Sequence, residues 1–107
     1  MSESRRTARL LLQQDSPENQ QAAATVLGPL QRYDRTHGGD LVNTLRVYLE
    51  EGCNASRAAS TLYLHRSGLL YRLRRIEELL GMNLNCYEDR LGLQIALLAF
   101  GSDVRGE

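Results

Sequence analysis

Between Gly52 and Gly81 the chain sets down two helix-forming stretches of unequal length, joined by only three residues, Tyr63-Leu64-His65. The first stretch is short and alanine-rich. Asn54 stands where a helix N-cap belongs, and Ala55, Ala58, Ala59 and Leu62 follow. Small side chains there let a neighbouring helix come close. The second stretch runs from about Arg66 to Leu80 and spaces Leu69, Leu73, Ile76 and Leu80 at intervals of 4, 3 and 4 residues. Gly81 follows as a stop. A short helix, a tight turn and a longer helix form the layout of a helix-turn-helix. In such units the second helix enters the DNA major groove with its N-terminal half, while the first crosses the backbone.

Charge supports that layout locally and hides it globally. The chain has 13 basic and 13 acidic residues, so it is neutral overall, and every basic residue is Arg. The segment Gly52–Ile76 holds Arg57, Arg66, Arg72, Arg74 and Arg75 and no acid, so it carries +5 and the remainder −5. A local positive face, not the net charge, is what attracts phosphate. On a helical wheel of 100° per residue, Ser67, Tyr71, Arg74 and Glu78 point away from the leucine stripe, flanked by Gly68, Leu70 and Arg75. The acids Glu77 and Glu78 come more than two turns along, where a docked helix leaves the groove.

The flanks read as further helices. Ser16-Pro17-Glu18 is a helix start, and Gly28-Pro29 a stop, which predicts a helix from about Pro17 to Leu27. A short helix from Pro29 to Arg35 follows, closed by His37-Gly38-Gly39. Asp40 is positioned to cap a helix with Leu41, Val42, Leu45, Tyr48 and Leu49 on one face, ended by Gly52. Asn85-Cys86-Tyr87-Glu88 resembles a capping box. The helix after it, about Cys86 to Phe100, is expected to bury Leu91, Ile95 and Leu98, with Leu97 at the edge of that stripe. Met1–Arg6 reads as a frayed start, and Ala8–Gln13 is an apolar run that periodicity assigns to neither helix nor strand. The sum is an all-α fold, a small bundle of about five helices.

Other classes find little support. No apolar run approaches the roughly 18 residues of a membrane span, and no secretory signal is visible. Cys53 and Cys86 are far apart and outside any metal-binding spacing, and are expected as small buried side chains. His37 and His65 sit in no nucleophile or metal motif. The neighbours Glu77-Glu78 and Glu88-Asp89 do not face one another on a helix. His37-Gly38-Gly39 is too short for a phosphate-binding loop. The reading is therefore a cytoplasmic binding module, not an enzyme, with no cofactor, metal or membrane partner.

The stretches DLVNTLRVYLEEGCN, HRSGLLYRLRRIEELLG and YEDRLGLQIALLAF, preceded by VLGPLQRYDRTHGGDL, resemble the C-terminal helix-turn-helix domain of PucR/CdaR-type bacterial transcription regulators. The recognition segment is similar, more loosely, to that of Fis-like nucleoid proteins. The resemblance implies residues 28–107 as a DNA-binding domain and residues 1–27 as an N-terminal extension, compatible with the tail of an upstream domain. It implies double-stranded DNA as the partner and a homodimer or higher assembly, read as a dimer on two half-sites about one helical turn apart. Three positions depart from the family's His-Arg-Asn-Thr-Leu-Arg-Tyr-Arg-Leu: Ser67, Gly68 and Leu70 stand for Asn, Thr and Arg. Gly68 costs roughly 0.5–1 kcal/mol relative to Ala in a helix interior. The three changes predict altered base readout without removing the cationic face.

Roles then follow by position. Arg66 is placed for guanine or phosphate. His65 is assigned mainly to capping, and Ser67 and Gly68 lie beside it at the helix start. Tyr71 and Arg72 match the family's Tyr-Arg pair, with an intramolecular bond equally open to Arg72. Arg74 and Arg75 are assigned to phosphate, against a solvated face bridged to Glu78. Ser56 and Arg57 open the preceding helix and are placed for backbone phosphate. The competing reading is a helical interaction or oligomerisation module whose arginine face meets an acidic partner.

Overall fold

The computed structural model describes residues 17–104, with side chains from Gln20 to Phe100. Met1–Arg6, the Ala8–Gln13 run and Ser16 lie outside the described residues. Five helices follow one another: α1 Pro17–His37, α2 Leu41–Glu50, α3 Ala55–Thr61, α4 Arg66–Leu80 and α5 Tyr87–Val104. Among the described residues there is no strand, as the all-α reading expects.

The first correction concerns α1. Gly28-Pro29 does not divide it; Pro29 lies inside one helix of 21 residues. An interior proline costs about 3 kcal/mol or more. Against that, Leu27 and Leu30 are both fully buried, and full burial of a leucine contributes about 1.5–3 kcal/mol each. Ala23, Leu27 and Leu30 make one stripe only if the helix runs through. A boundary at residues 27 and 28 therefore falls within a helix whose two halves share one core. The most extensive helix pairing is α1 with α5, and α1 also packs on α2 and α4.

The second correction concerns helix ends. Asp40 occupies the N-cap position of α2 without a side-chain capping bond. The cap comes from Asp34 in α1, whose Oδ1 accepts from the Leu41 amide at 2.7 Å and Oδ2 from Val42 at 3.1 Å. Asn54 caps α3 as expected, accepting from the Arg57 amide at 3.0 Å. His65 stands at the N-cap of α4 but its ring makes no capping bond. No capping-box bond joins Asn85 and Glu88 among the described residues. The α4–α5 connection is held instead by Glu77 and Asp89, which accept from the Leu84 and Asn83 amides at 2.9 Å each.

The third correction concerns α5. Leu91 and Ile95, expected in the core, are 41% and 40% exposed, and Leu98 is only half-buried. Leu93, Ala96, Leu97 and Ala99 are buried in their place. The stripe that faces α1 is thus nearly opposite the expected one. Cys53 and Cys86 are free and half-buried. The rest of the core, Leu41, Leu45, Leu49, Leu69, Leu73 and Ile76, lies where the spacing puts it.

Candidate nucleic-acid interface

The α3–α4 unit is built from its own ends. After α3 the Tyr63 amide donates to the Ser60 carbonyl at 3.2 Å and the Leu64 amide to the Ala59 carbonyl at 2.8 Å. These two bonds are those of a Schellman turn, which puts Tyr63 at the left-handed position, and its φ is 58°. Ala58 and Ala59 are buried where α3 meets α4. Leu69, Leu73 and Ile76 seat α4 on the core, leaving Arg66, Ser67, Tyr71, Arg74 and Glu78 exposed. The outward face is the one the wheel places there.

Of the ten residues singled out in the sequence, seven are exposed, Gly68 is half-buried, and Arg72 and Arg75 bond within the chain. His65, Arg66, Ser67, Tyr71 and Arg74 are exposed on or beside the outward side of α4, and Ser56 and Arg57 are exposed at the start of α3. Arg57 has one loose partner, Glu51, at 3.7 Å. Arg66 and Arg74 make no ion pair among the described residues. Gly68 is half-buried, and a Cβ there would meet nothing within 4 Å. The missing side chain thus leaves open space, not a close packing contact.

Arg72 turns inward, while Arg75 stays at the surface, its side chain 37% exposed, and bonds to neighbours on its own helix. Arg72 donates from Nη1 to Thr44 Oγ1 at 3.0 Å and lies 3.8 Å from Asp40 Oδ2. Thr44 in turn donates to the Asp40 carbonyl at 2.6 Å. This chain of bonds ties α4 to the start of α2, and gives Asp40 a use other than capping. Arg75 lies between two rings, 5.9 Å from the Tyr33 centroid and 5.8 Å from that of Tyr71. Its Nη atoms donate to Tyr71 Oη and Glu78 Oε1, both at 3.2 Å, while its Nε is sealed without an acceptor. The Tyr71 hydroxyl and then Glu78 favour the charged guanidinium and raise its pKa. Tyr33 stacks in turn on His37, with ring centroids 4.3 Å apart. A cleft of about 320 Å³ remains beside α4, between Gly38, Gly39 and Gly68.

Sequence reasoning did not single out Tyr33, Asp34 or Thr44, which hold the interface helix in place. Asp34 lies seven residues before the amide it caps, so no local capping pattern could mark it. Among the described residues no cluster of His, Cys, Asp or Glu is arranged to hold a metal. No helix among them is long and apolar enough to cross a membrane.

The family model described as the PucR C-terminal helix-turn-helix domain matches residues 41–99. The purine catabolism regulatory protein of Bacillus subtilis is 47% identical over 57 residues, which is 53% of this chain and 11% of that protein. An uncharacterized protein from the pkwA 5′ region of Thermomonospora curvata is 40% identical over 89 residues, 83% of this chain and 49% of that protein. The carbohydrate diacid regulator of Escherichia coli is 38% identical over 61 residues, 57% of this chain and 16% of that protein. The chain thus spans less than half the length of these relatives. No solved structure gives a significant match.

Proposed function

The chain belongs to the family of PucR C-terminal helix-turn-helix domains, and on that premise we propose that it binds double-stranded DNA in a sequence-dependent way to regulate transcription. The observation that carries the proposal is the exposure of Arg66 at the start of α4 and of Arg74 on its outward side, together with Ser56 and Arg57 at the start of α3. Arg66, at the first turn, is the residue placed for a base edge or phosphate, and Arg74, two turns on, for phosphate. Ser67, Gly68 and Tyr71 form the surface between them. Arg72 sets the position of α4 through Thr44, and Arg75, 37% exposed beside Arg74, is placed for phosphate. His65 lies at the helix start, unbonded and accessible to the groove edge.

The proposal includes a homodimer on two half-sites, one helical turn or a multiple of it apart. Leu93 and Leu97 of α5 are buried inside the protomer. Tyr87, Leu91 and Ile95 remain exposed on the other side of α5, and a helix apolar on both sides generally has both covered. The reading is of a binding module, with no catalytic step assigned.

The test is binding to a labelled duplex pool across a salt series. The parent chain should bind, with affinity falling steeply as salt rises. An Arg66→Ala/Arg74→Ala double variant should lose affinity with unchanged helicity, and its salt slope should shrink by about 2 if both residues meet phosphate. Absence of duplex binding by the parent at low salt rejects the reading in favour of a protein-interaction module. Selection of bound duplexes from a random pool should return an inverted repeat if two copies bind.

A further inference from the structure

The chain adopts left-handed backbone at five described positions: Gly38, Gly52, Gly81, Cys53 and Tyr63. Glycine takes this conformation freely, and a side chain there is uncommon. The two exceptions differ in what their side chains do. Cys53 is half-buried, packs against the core, and sits against the Tyr48 hydroxyl. Its side chain has a use inside the protomer. Tyr63 has a φ of 58° and is 94% exposed. Its ring touches almost nothing of its own chain.

The comparison is closest between two turns of one kind. After α2, the Gly52 amide donates to Leu49 at 3.1 Å and the Cys53 amide to Tyr48 at 2.9 Å. After α3, Tyr63 and Leu64 make the equivalent pair of bonds to Ser60 and Ala59. The first turn puts glycine at the left-handed position; the second, which leads directly into α4, puts a bare tyrosine. Backbone geometry would favour glycine in both. A large ring at the second finds almost no partner within the protomer.

We propose that Tyr63 is a DNA-contacting residue, its ring lying against the sugar-phosphate backbone at the groove edge and its hydroxyl donating to a phosphate oxygen. Tyrosine is among the residues that make such contacts. Tyr63 lies within the acid-free segment that carries Arg57, Arg66 and Arg74, and only two residues separate it from the start of α4. The chemistry needed is a ring and a neutral donor beside a phosphate run whose charge the arginines meet. This inference rests on the duplex-binding reading and adds to it a residue outside the cationic set.

The experiment compares the parent, Tyr63→Gly, Tyr63→Phe and Arg66→Ala/Arg74→Ala, each for thermal melting and for binding to the same labelled random-sequence duplex over a salt series. Tyr63→Gly suits the turn better, so it should melt at the same temperature as the parent or higher. Its duplex affinity should nonetheless fall roughly three- to tenfold, with an unchanged salt slope because no charge is removed. Tyr63→Phe should fall between. Unchanged affinity in Tyr63→Gly overturns the proposal, and so does a lower melting temperature, which would give the ring a use within the protomer. Unchanged affinity in Tyr63→Phe removes the hydroxyl bond from it. If the arginine variant loses binding and Tyr63→Gly does not, only this inference falls. If the parent binds no duplex, the functional reading falls and takes this inference with it.

Discussion

The helices α4 and α5 are similar in length and both rich in leucine, yet one packs as its sequence pattern suggests and the other nearly the opposite way round. In α4 the side facing away from Leu69, Leu73 and Ile76 carries Ser67, Arg74 and Glu78, so only one face can be buried. In α5 the run Leu91–Phe100 contains a single polar residue, Gln94. Two apolar arcs are then available, and α1 decides between them by taking Leu93, Ala96 and Leu97. A periodic pattern fixes which face is buried only when polar residues mark the face that is not. Where both are apolar, the choice lies with the packing partner, far away in sequence.

Truncating leucines on each side measures which arc of each helix carries the core. Leu69→Ala in α4 and Leu93→Ala in α5 both open fully buried sites, and each should lose about 2–5 kcal/mol in urea unfolding. Ile95→Ala, on the exposed arc, should lose under about 1 kcal/mol in the monomer. An Ile95→Ala loss equal to that of Leu93→Ala would reverse the assignment of the two faces. A smaller effect is expected at the junction that orients α4. Asp34→Ala removes the cap of α2 and should cost about 0.5–2 kcal/mol, and more than Asp40→Ala, whose carboxylate makes no capping bond to α2. Equal losses would mean that the distant cap is dispensable.

The smallest effect expected is alkaline. Burial, first of all, raises the pKa of both the Tyr48 hydroxyl and the Cys53 thiol. Both groups hold their protons to higher pH in the folded chain than in the unfolded one. Stability is therefore complete at neutral pH and declines as pH climbs through the ordinary thiol range and then the tyrosine range. Cys53→Ala should remove the earlier part of that decline in pH-dependent melting curves. A variant with the parent's alkaline profile would show that the thiol is not the group responsible.

The helix-turn-helix is legible in the sequence because its signals are local: Asn54, the alanines, the leucine spacing and Gly81 lie within one stretch. The outward position of Arg74 follows from the same wheel, whereas Arg66 is exposed because it opens the helix. The unbroken α1 was not legible, because Gly28-Pro29 is a valid stop signal that burial of Leu27 and Leu30 overrides. The Arg75–Glu78 bridge was one of the two roles the sequence left open for that arginine, because the two residues lie three apart on one helix. The facing Tyr33 ring was not legible, since it comes from more than forty residues earlier.

The place of Arg75 sets how firmly this edge of the fold is held. Tyr33 of α1 and Tyr71 of α4 both face its guanidinium, at 5.9 and 5.8 Å. A cation over a ring at an exposed site contributes only about 0.5–1 kcal/mol. The buried leucines therefore carry the α1–α4 joint, and the arginine trims its outer edge.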